Sequence, residues 1–340
     1  MQRTLSFLFT PLLLLGCSFD DLPDFLIPVK VDYDQEMRYL VEDISNYAKG
    51  INRHFIIVPQ NGIELITTTT TTTGTVDNAY VNSATGIAQE SVFFGQDGVD
   101  QPTSPSETKR LQTYLNLAKD KSNVILVTDF ANTNNNIDKS YKDNKDAGYI
   151  SFAADQMALN TIPPYPPEPF NVNSRNVDEL YEAHNFLNLT NPDMYSTPQE
   201  FVDKLSETDY DLLIIDFFFK REPYTEAQIK QLKVKSNGAR RLLMAYVNIG
   251  EAQENRYYWQ SFWYTNPPDW LLGPVPGETG NYYVEYWKKG WQDIIYGNNE
   301  SYIFKIVDAG FDGAYMDGID VFEYFDSMET TDAELEGASE

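Results

Sequence analysis

Carboxylates follow several apolar runs along this chain. Asp216, Glu251 and Asp317 end or directly follow such runs in the second half, and Asp129 does so in the first half. A single acid in this position usually caps a helix or keeps a loop soluble. Several acids at the ends of successive strands would instead gather at one rim, where they raise one another's pKa and suit acid–base chemistry or a divalent metal.

A metal site is the weaker of these two hypotheses. The chain has only two histidines, and both are predicted at the beginnings of strands, away from the rim. We therefore expect acid–base chemistry without a cofactor, with an all-carboxylate magnesium or calcium site as the alternative.

All five tryptophans lie between the last two predicted strands, interleaved with tyrosines. Most of these rings are expected to pack a subdomain under a long loop. Aromatic faces also stack on flat apolar surfaces, including the C–H faces of sugar rings. We expect Trp259 and Trp287 to line a substrate groove, and Glu285 in the same segment joins the candidate rim acids.

The elements that must position these residues are short apolar runs that alternate with helical periodicities. This pattern predicts an α/β fold and, with eight runs, a single-domain (β/α)₈ TIM barrel with a long aromatic-rich insertion between strands 7 and 8. An open doubly wound sheet is the alternative, but no glycine-rich dinucleotide turn follows the first run. The predicted strands cover residues 54–58, 91–94, 124–128, 149–153, 185–189, 212–216, 242–250 and 311–317.

The N-terminus predicts export and lipid attachment. Residues 1–16 combine one positive charge with a short apolar run, which is typical of a signal peptide, and Cys17 is the only cysteine of the chain. The junction resembles a bacterial lipobox, with an ordinary signal peptide as the alternative. We expect residues 17–33 to form a lipid-anchored tether on the outer membrane surface or in the periplasm of a bacterial cell envelope.

Residues 34–326 are then the barrel domain and residues 327–340 an acidic disordered tail. The formal net charge of −26 would repel a phosphate backbone, so nucleic acid is not an expected partner. A neutral or cationic polymer is compatible with that charge, and we expect a monomer.

Three blocks carry a resemblance to a known family. Residues 246–252, the segment around Glu285 and residues 310–317 resemble the signature blocks of secreted barrel proteins related to the endo-α-1,4-polygalactosaminidase family of glycoside hydrolases. Some of these relatives are labelled cysteinyl-tRNA-synthetase-related. The resemblance implies a barrel that hydrolyses polysaccharide with two carboxylates. One departure stands out, because Tyr315 occupies a position where the family has a glutamate.

We therefore expect a secreted, endo-acting lipoprotein glycoside hydrolase, with an α-1,4-linked galactosamine polymer as the candidate substrate. Asp317 and Glu285 are the predicted pair of catalytic carboxylates, with Asp216 and Glu251 orienting the sugar or tuning that pair. The alternatives are a non-catalytic glycan-binding barrel that has lost one carboxylate, with Tyr315 in its place, and a barrel whose rim acids only cap helices. The predicted substrate-binding residues are Asp129, Tyr246, Asn248, Trp259, Trp287, Tyr315 and Asp320.

Overall fold

The computed structural model describes residues 30–328. The predicted signal peptide, Cys17, most of the predicted tether and residues 329–340 of the predicted tail lie outside the described residues. A compact unit begins at Tyr33. Within the described part of the chain, no helix combines the length and the apolar character that crossing a membrane requires.

Helices and strands alternate through the first two-thirds of this unit. Three of the helices begin at a hydroxyl side chain that accepts the N–H of the third helical residue, namely at Ser104, Thr197 and Thr225. In chain order the elements are α1 (Tyr33–Ile51), β1 (Ile56–Pro59), α2 (Asn78–Ser83), β2 (Gly86–Glu90), α3 (Pro105–Lys119), β3 (Val124–Phe130), α4 (Asn134–Ala147), β4 (Ile150–Ala154), β5 (Phe186–Leu189), α5 (Pro198–Ser206), β6 (Leu212–Asp216), β7 (Phe218–Phe219), β8 (Glu222–Pro223), α6 (Glu226–Leu232) and β9 (Leu242–Asn248).

The remaining elements form the insertion and the last strand of the barrel. The insertion contains a small antiparallel sheet in the order β10-β12-β11, and α8 leads into the final strand, β13. These elements are β10 (Glu251–Gln253), β11 (Leu271–Pro274), β12 (Asn281–Val284), α7 (Lys289–Ile295), α8 (Tyr302–Asp308) and β13 (Gly313–Asp317).

Two parallel sheets supply the barrel strands. Their orders are β1-β13-β9-β6-β5 and β2-β3-β4. The sheets meet where Gln60 and Ala88 form a parallel bridge between the chain after β1 and β2, and where β4 and β5 lie side by side. The resulting cyclic order, β1-β2-β3-β4-β5-β6-β9-β13, is that of a (β/α)₈ barrel. The predicted α/β class is confirmed, although the hydrogen-bonded ladder is interrupted at these two places.

The second predicted strand was placed wrongly. The apolar run at residues 91–94 follows β2 and forms part of the loop at its end. Phe94 packs in a small separate core beside α4, and Asp129 accepts hydrogen bonds from the N–H groups of Phe93 and Phe94. The strand begins instead at Gly86, where a Cβ atom would lie 2.7 Å from the carbonyl oxygen of Val124. β2 therefore combines a close strand approach at Gly86 with only two buried apolar side chains, Ile87 and Ala88.

The tryptophans of the insertion mainly build its core, as expected. Trp291 is fully buried, and its indole N–H donates a 2.7 Å hydrogen bond to the carbonyl oxygen of Ile249. Trp270 packs 5.2 Å from Trp291 and 5.2 Å from Trp263, measured between ring centroids. These contacts attach the small sheet to the end of β9, so that the insertion covers one side of the rim.

Candidate active site

Four carboxylates lie at the carboxyl ends of neighbouring barrel strands. Glu90 ends β2, Asp317 ends β13, Asp320 follows in the next turn, and Glu251 comes three residues after β9. We call these four residues the rim carboxylates. Burial is the main cause that raises the pKa of Glu90 and of Glu251, and the charge of Asp317 adds to the rise in both, so these three groups interact electrostatically.

Asp317 is held by donors from its own and the neighbouring strand. Its Oδ2 accepts a 2.7 Å hydrogen bond from the Tyr246 hydroxyl on β9. Burial raises the pKa of Asp317, while this bond and the Gly318 N–H oppose that shift. Burial and the charge of Asp317 in turn raise the pKa of Tyr246 well above its ordinary value, so that its hydroxyl keeps its proton.

The loops after β9 and β13 are packed tightly together. A Cβ atom on Gly250 would lie only 2.0 Å from the carbonyl oxygen of Gly318, so a side chain at this position cannot be accommodated. The Asn248 Oδ1 accepts the N–H groups of Gly250, at 3.1 Å, and Glu251, at 2.8 Å, and so turns the chain at the strand end. Asn248 thus fixes where Glu251 stands relative to Asp317.

Glu251 sits between two amide side chains. Its Oε2 accepts hydrogen bonds from Asn248 Nδ2 at 3.2 Å and Asn281 Nδ2 at 3.1 Å. Burial, followed by the charges of Glu278 and Asp317, raises its pKa to about 7, while the Asn281 amide opposes that shift. At neutral pH this carboxyl group is therefore divided between its protonated and ionised forms.

Glu90 is a site residue that the sequence analysis missed. Burial and then the charge of Asp317 raise its pKa to about 7. It borders a cleft of about 460 Å³, which we call the Glu90 cleft. The lining also includes Arg110, which pairs with Glu107 at 2.7 Å and also with Glu64. The cleft is further lined by Asn61, Ser91, Asp320 and Glu323.

Two predicted catalytic residues form ion pairs with basic side chains. Asp216 pairs with Arg256 at 2.8 Å, and its side chain is 12% exposed. Burial raises its pKa, and Arg256 opposes that shift. Glu285 pairs with Lys288 at 2.6 Å in the loop after β12.

Two predicted substrate contacts are instead enclosed in the barrel. Asp129 is fully buried, and beyond the two loop N–H groups its carboxylate accepts Ser140 Oγ at 2.7 Å and Asn144 Nδ2 at 2.9 Å. The Asp129 carboxylate therefore fixes the loop after β2 and has no exposed surface that a ligand could contact. Tyr315 is 1% exposed, because its side chain fills the barrel interior below Asp317 and near Thr128.

The two predicted groove tryptophans lie in packing contacts. Trp259 packs 4.8 Å from Tyr282 and 5.3 Å from Trp263. Trp287 packs 4.9 Å from the ring of Phe325 and also against Tyr33. Both are only partly exposed, so their main contacts are with neighbouring aromatic rings.

The acids do not form a recognisable metal site. Across residues 30–328, no group of three or more His, Cys, Asp or Glu side chains is arranged to hold a metal ion. Protonated and ionised carboxyl groups side by side can instead act as proton donors and as nucleophiles or bases.

Comparison with known proteins relates the C-terminal part of the chain to one family. Residues 202–338 match the family model described as "Glycoside-hydrolase family GH114". The predicted relation to the endo-α-1,4-polygalactosaminidase family is confirmed for this segment, which contains Glu251, Asp317 and Asp320.

Three similar proteins come from distant organisms, and each is described only as uncharacterized. The chain is 37% identical to one from Thermotoga maritima over 122 residues, which are 36% of this chain. It is 35% identical to one from Methanocaldococcus jannaschii over 157 residues, or 45% of this chain, and 33% identical to one from Deinococcus radiodurans over 127 residues, or 37% of this chain. The matches span 36%, 43% and 38% of the lengths of these relatives.

Proposed function

We propose, from the relation of residues 202–338 to glycoside-hydrolase family GH114, that this protein hydrolyses the glycosidic bonds of a polysaccharide. One observation carries the proposal. Glu90 and Glu251, whose pKa values are raised to about 7, stand in the electrostatic field of Asp317 at one end of the barrel. Hydrolysis of a glycoside needs a protonated carboxyl group and a carboxylate on either side of the scissile bond, and this end of the barrel offers both at neutral pH.

Asp317 is the best candidate for the carboxylate that attacks the anomeric carbon or activates water. Burial raises the pKa of Asp317, and the Tyr246 hydroxyl and the Gly318 N–H, which both donate to it, oppose that rise and favour its charged form. The proton donor must come from a neighbouring group that couples to Asp317, and Glu90, Glu251 and the more exposed Asp320 meet this condition. Glu285, the predicted partner, is instead paired with Lys288.

An amino-sugar polymer fits the charge of the protein. The chain carries 51 acidic against 25 basic residues, and the Glu90 cleft adds Glu64, Glu107 and Glu323 beside the rim carboxylates. Ammonium groups along a partly deacetylated galactosamine polymer would be attracted to such a surface. We propose cleavage within the chain, because the Glu90 cleft is open to solvent and does not require a chain end.

Attachment to a bacterial envelope through Cys17 is a separate part of the proposal. It rests on the signal-like residues 1–16 and the single cysteine. Mass spectrometry of the N-terminal peptide from membranes of an expressing bacterium tests it. A diacylglycerol mass on Cys17 supports the anchor, and a soluble chain that retains a free Cys17 thiol contradicts it.

The hydrolase is tested by measuring reducing ends released from partly deacetylated galactosamine polymer and from a panel of neutral polysaccharides. We expect release by the wild-type protein and none by Asp317→Asn. Glu222→Gln, an exposed change on the β7–β8 hairpin, is the matched control and should behave as wild type. No release from any polymer, or equal release by Asp317→Asn, would refute the proposal.

A glycan-binding barrel without catalysis is the second candidate. The burial of Tyr315 favours it, because the position at which the related hydrolases have a glutamate here holds a side chain enclosed in the core. Retention of the wild-type protein on immobilised polymer without release of reducing ends would establish this function instead.

A further inference from the structure

We infer that Glu90, at the end of β2, is the proton donor of the proposed hydrolysis and acts together with Asp317 across the barrel mouth. The inference rests on the proposed hydrolase and goes beyond it by assigning a residue outside the segment that matches the family. That match begins at residue 202, so relation to the family does not assign Glu90 a role.

Access to substrate separates Glu90 from Glu251. Glu90 lines the cleft of about 460 Å³ together with Ser91 and Asp320, whereas neither Glu251 nor Asp317 is among the lining residues, so a substrate in this cleft must extend beyond it to reach Asp317. This volume lies within the range of small-molecule sites, roughly 300–1,000 Å³. A sugar unit bound in this cleft would contact the Glu90 carboxyl group directly.

The backbone on both sides holds Glu90 in place. Asn61 and Ser91 both adopt left-handed backbone angles, with φ of 60° and 57°, which non-glycine residues rarely do. Asn61 Oδ1 accepts the Glu90 N–H at 3.2 Å, and its Nδ2 lies 3.5 Å from Glu90 Oε2. Strained conformations of this kind persist where the surrounding structure fixes them, frequently at functional sites.

The loop after β1 also links Glu90 to the turn after β13. A Cβ atom on Gly62 would lie 2.7 Å from Ile319 Cγ2 and 3.1 Å from the Asp320 nitrogen. The chain that carries Asn61 therefore packs directly on the turn that follows Asp317. This contact fixes the Glu90 side of the mouth relative to the Asp317 side, as a pair of cooperating carboxyl groups requires.

Burial and the neighbouring acids favour a protonated Glu90. Glu251 Oε2 accepts two amide N–H groups, and donors of this kind favour the ionised form. Burial, followed by the charges of Asp317 and Asp320, favours the neutral form of Glu90, while the amide side chains of Asn61 and Gln60 oppose it. Glu90 can therefore keep a proton at neutral pH and present it to the cleft.

The proposed step balances with water as the only co-reactant. Glu90 gives its proton to the glycosidic oxygen while the bond from that oxygen to the anomeric carbon breaks. The hydroxyl of a water molecule is added to that carbon, directly or after attack by Asp317, and the remaining water proton returns to the carboxylates. The products are one new reducing end and one new hydroxyl group.

Leaving-group dependence tests the assignment. Loss of a general acid slows cleavage of a sugar–sugar bond by roughly 10²–10⁴-fold. A dinitrophenyl α-galactosaminide has a leaving group that needs no proton. We expect Glu90→Gln to lose at least about 100-fold in kcat/KM on the polymer and to stay within a few-fold of wild type in kcat/KM on the aryl substrate. A residue that only supports the fold would slow both reactions equally.

Two variants and one spectrum make the result decisive. Asp317→Asn should lose both reactions, and the circular dichroism spectrum and urea midpoint of Glu90→Gln should show that it is folded. If Glu251→Gln shows the split between substrates and Glu90→Gln does not, the assignment is wrong while the hydrolase stands. If the wild-type protein cleaves neither substrate, the hydrolase itself fails and this inference fails with it.

Discussion

Replacing Glu90 with glutamine should stabilise the protein at alkaline pH and leave its stability unchanged at acid pH. Burial and the charge of Asp317 raise the pKa of Glu90 from 4.5 to about 7 in the folded protein. Between these values the folded state holds the proton that the unfolded chain has released. The wild-type free energy of unfolding therefore falls as the pH rises through this window, and the loss is complete above pH 7.

The magnitude follows from the size of the shift. Each pKa unit corresponds to 1.36 kcal/mol, so a rise from 4.5 to about 7 corresponds to about 3 kcal/mol. Part of this energy is shared with Asp317 and Asp320, whose pKa values also change when the neighbouring charge is removed. We therefore expect Glu90→Gln to gain about 1 to 3 kcal/mol at pH 8. At pH 4 both proteins carry a neutral side chain here, and their stabilities should agree within about 0.5 kcal/mol.

Urea unfolding followed by tryptophan fluorescence at pH 4 and pH 8 measures this difference. Glu222→Gln is the control, because it removes the same charge from an exposed site of a chain whose net charge is −26. The reasoning fails if Glu90→Gln gains no more at pH 8 than Glu222→Gln does, or if it gains equally at pH 4.

Three further outcomes follow from the same geometry. Arg256→Ala leaves the buried Asp216 without its cation and should lower the free energy of unfolding, measured in urea, by about 3 to 5 kcal/mol. Arg256→Lys should recover part of this loss, and an Arg256→Ala variant as stable as wild type would contradict a stabilising ion pair. Trp287→Ala should lower the free energy of unfolding by about 2 to 3 kcal/mol, because it loses the contact with Phe325, and the folded variant should bind polymer as the wild type does. Loss of polymer binding without loss of stability would instead support the predicted role of Trp287 in substrate binding. Reducing-end release from polymer should decline as the pH rises above about 7, where Glu90 ionises, and a rate that keeps rising to pH 9 would exclude a carboxylic acid as the donor.

The sequence predicted the last strands of the barrel well. Strong apolar runs mark β6, β9 and β13, and the positions that follow them carry Glu251 and Asp317 at one end of the barrel. Long buried strands leave little choice of register, so the ends of such strands can be placed from the sequence. The side chains between them, Tyr246 and Asn248, then lie beside the rim carboxylates, as their strand positions suggest.

The partners of acids could not be predicted in the same way. Asp216 and Glu285 are paired with Arg256 and Lys288, and both pairings depend on how the insertion folds. Apolar runs contain no information about which cation approaches a given acid. The same limit applies to Trp287, whose neighbour Phe325 comes from the end of the described chain.

Glu90 was missed because it ends the strand with the weakest apolar signal. Between Gly86 and Glu90 only Ile87 and Ala88 are apolar, whereas the next residues, which form a loop, include two phenylalanines. The same place is one of the two interruptions of the barrel ladder, where a single bridge replaces a full strand pairing. Relaxed pairing lets the backbone at Asn61 and Ser91 turn left-handed and aim a carboxyl group into the cleft. The few apolar residues and the interrupted pairing of β2 therefore make this strand difficult to predict from sequence. The same interruption makes its last residue accessible to substrate.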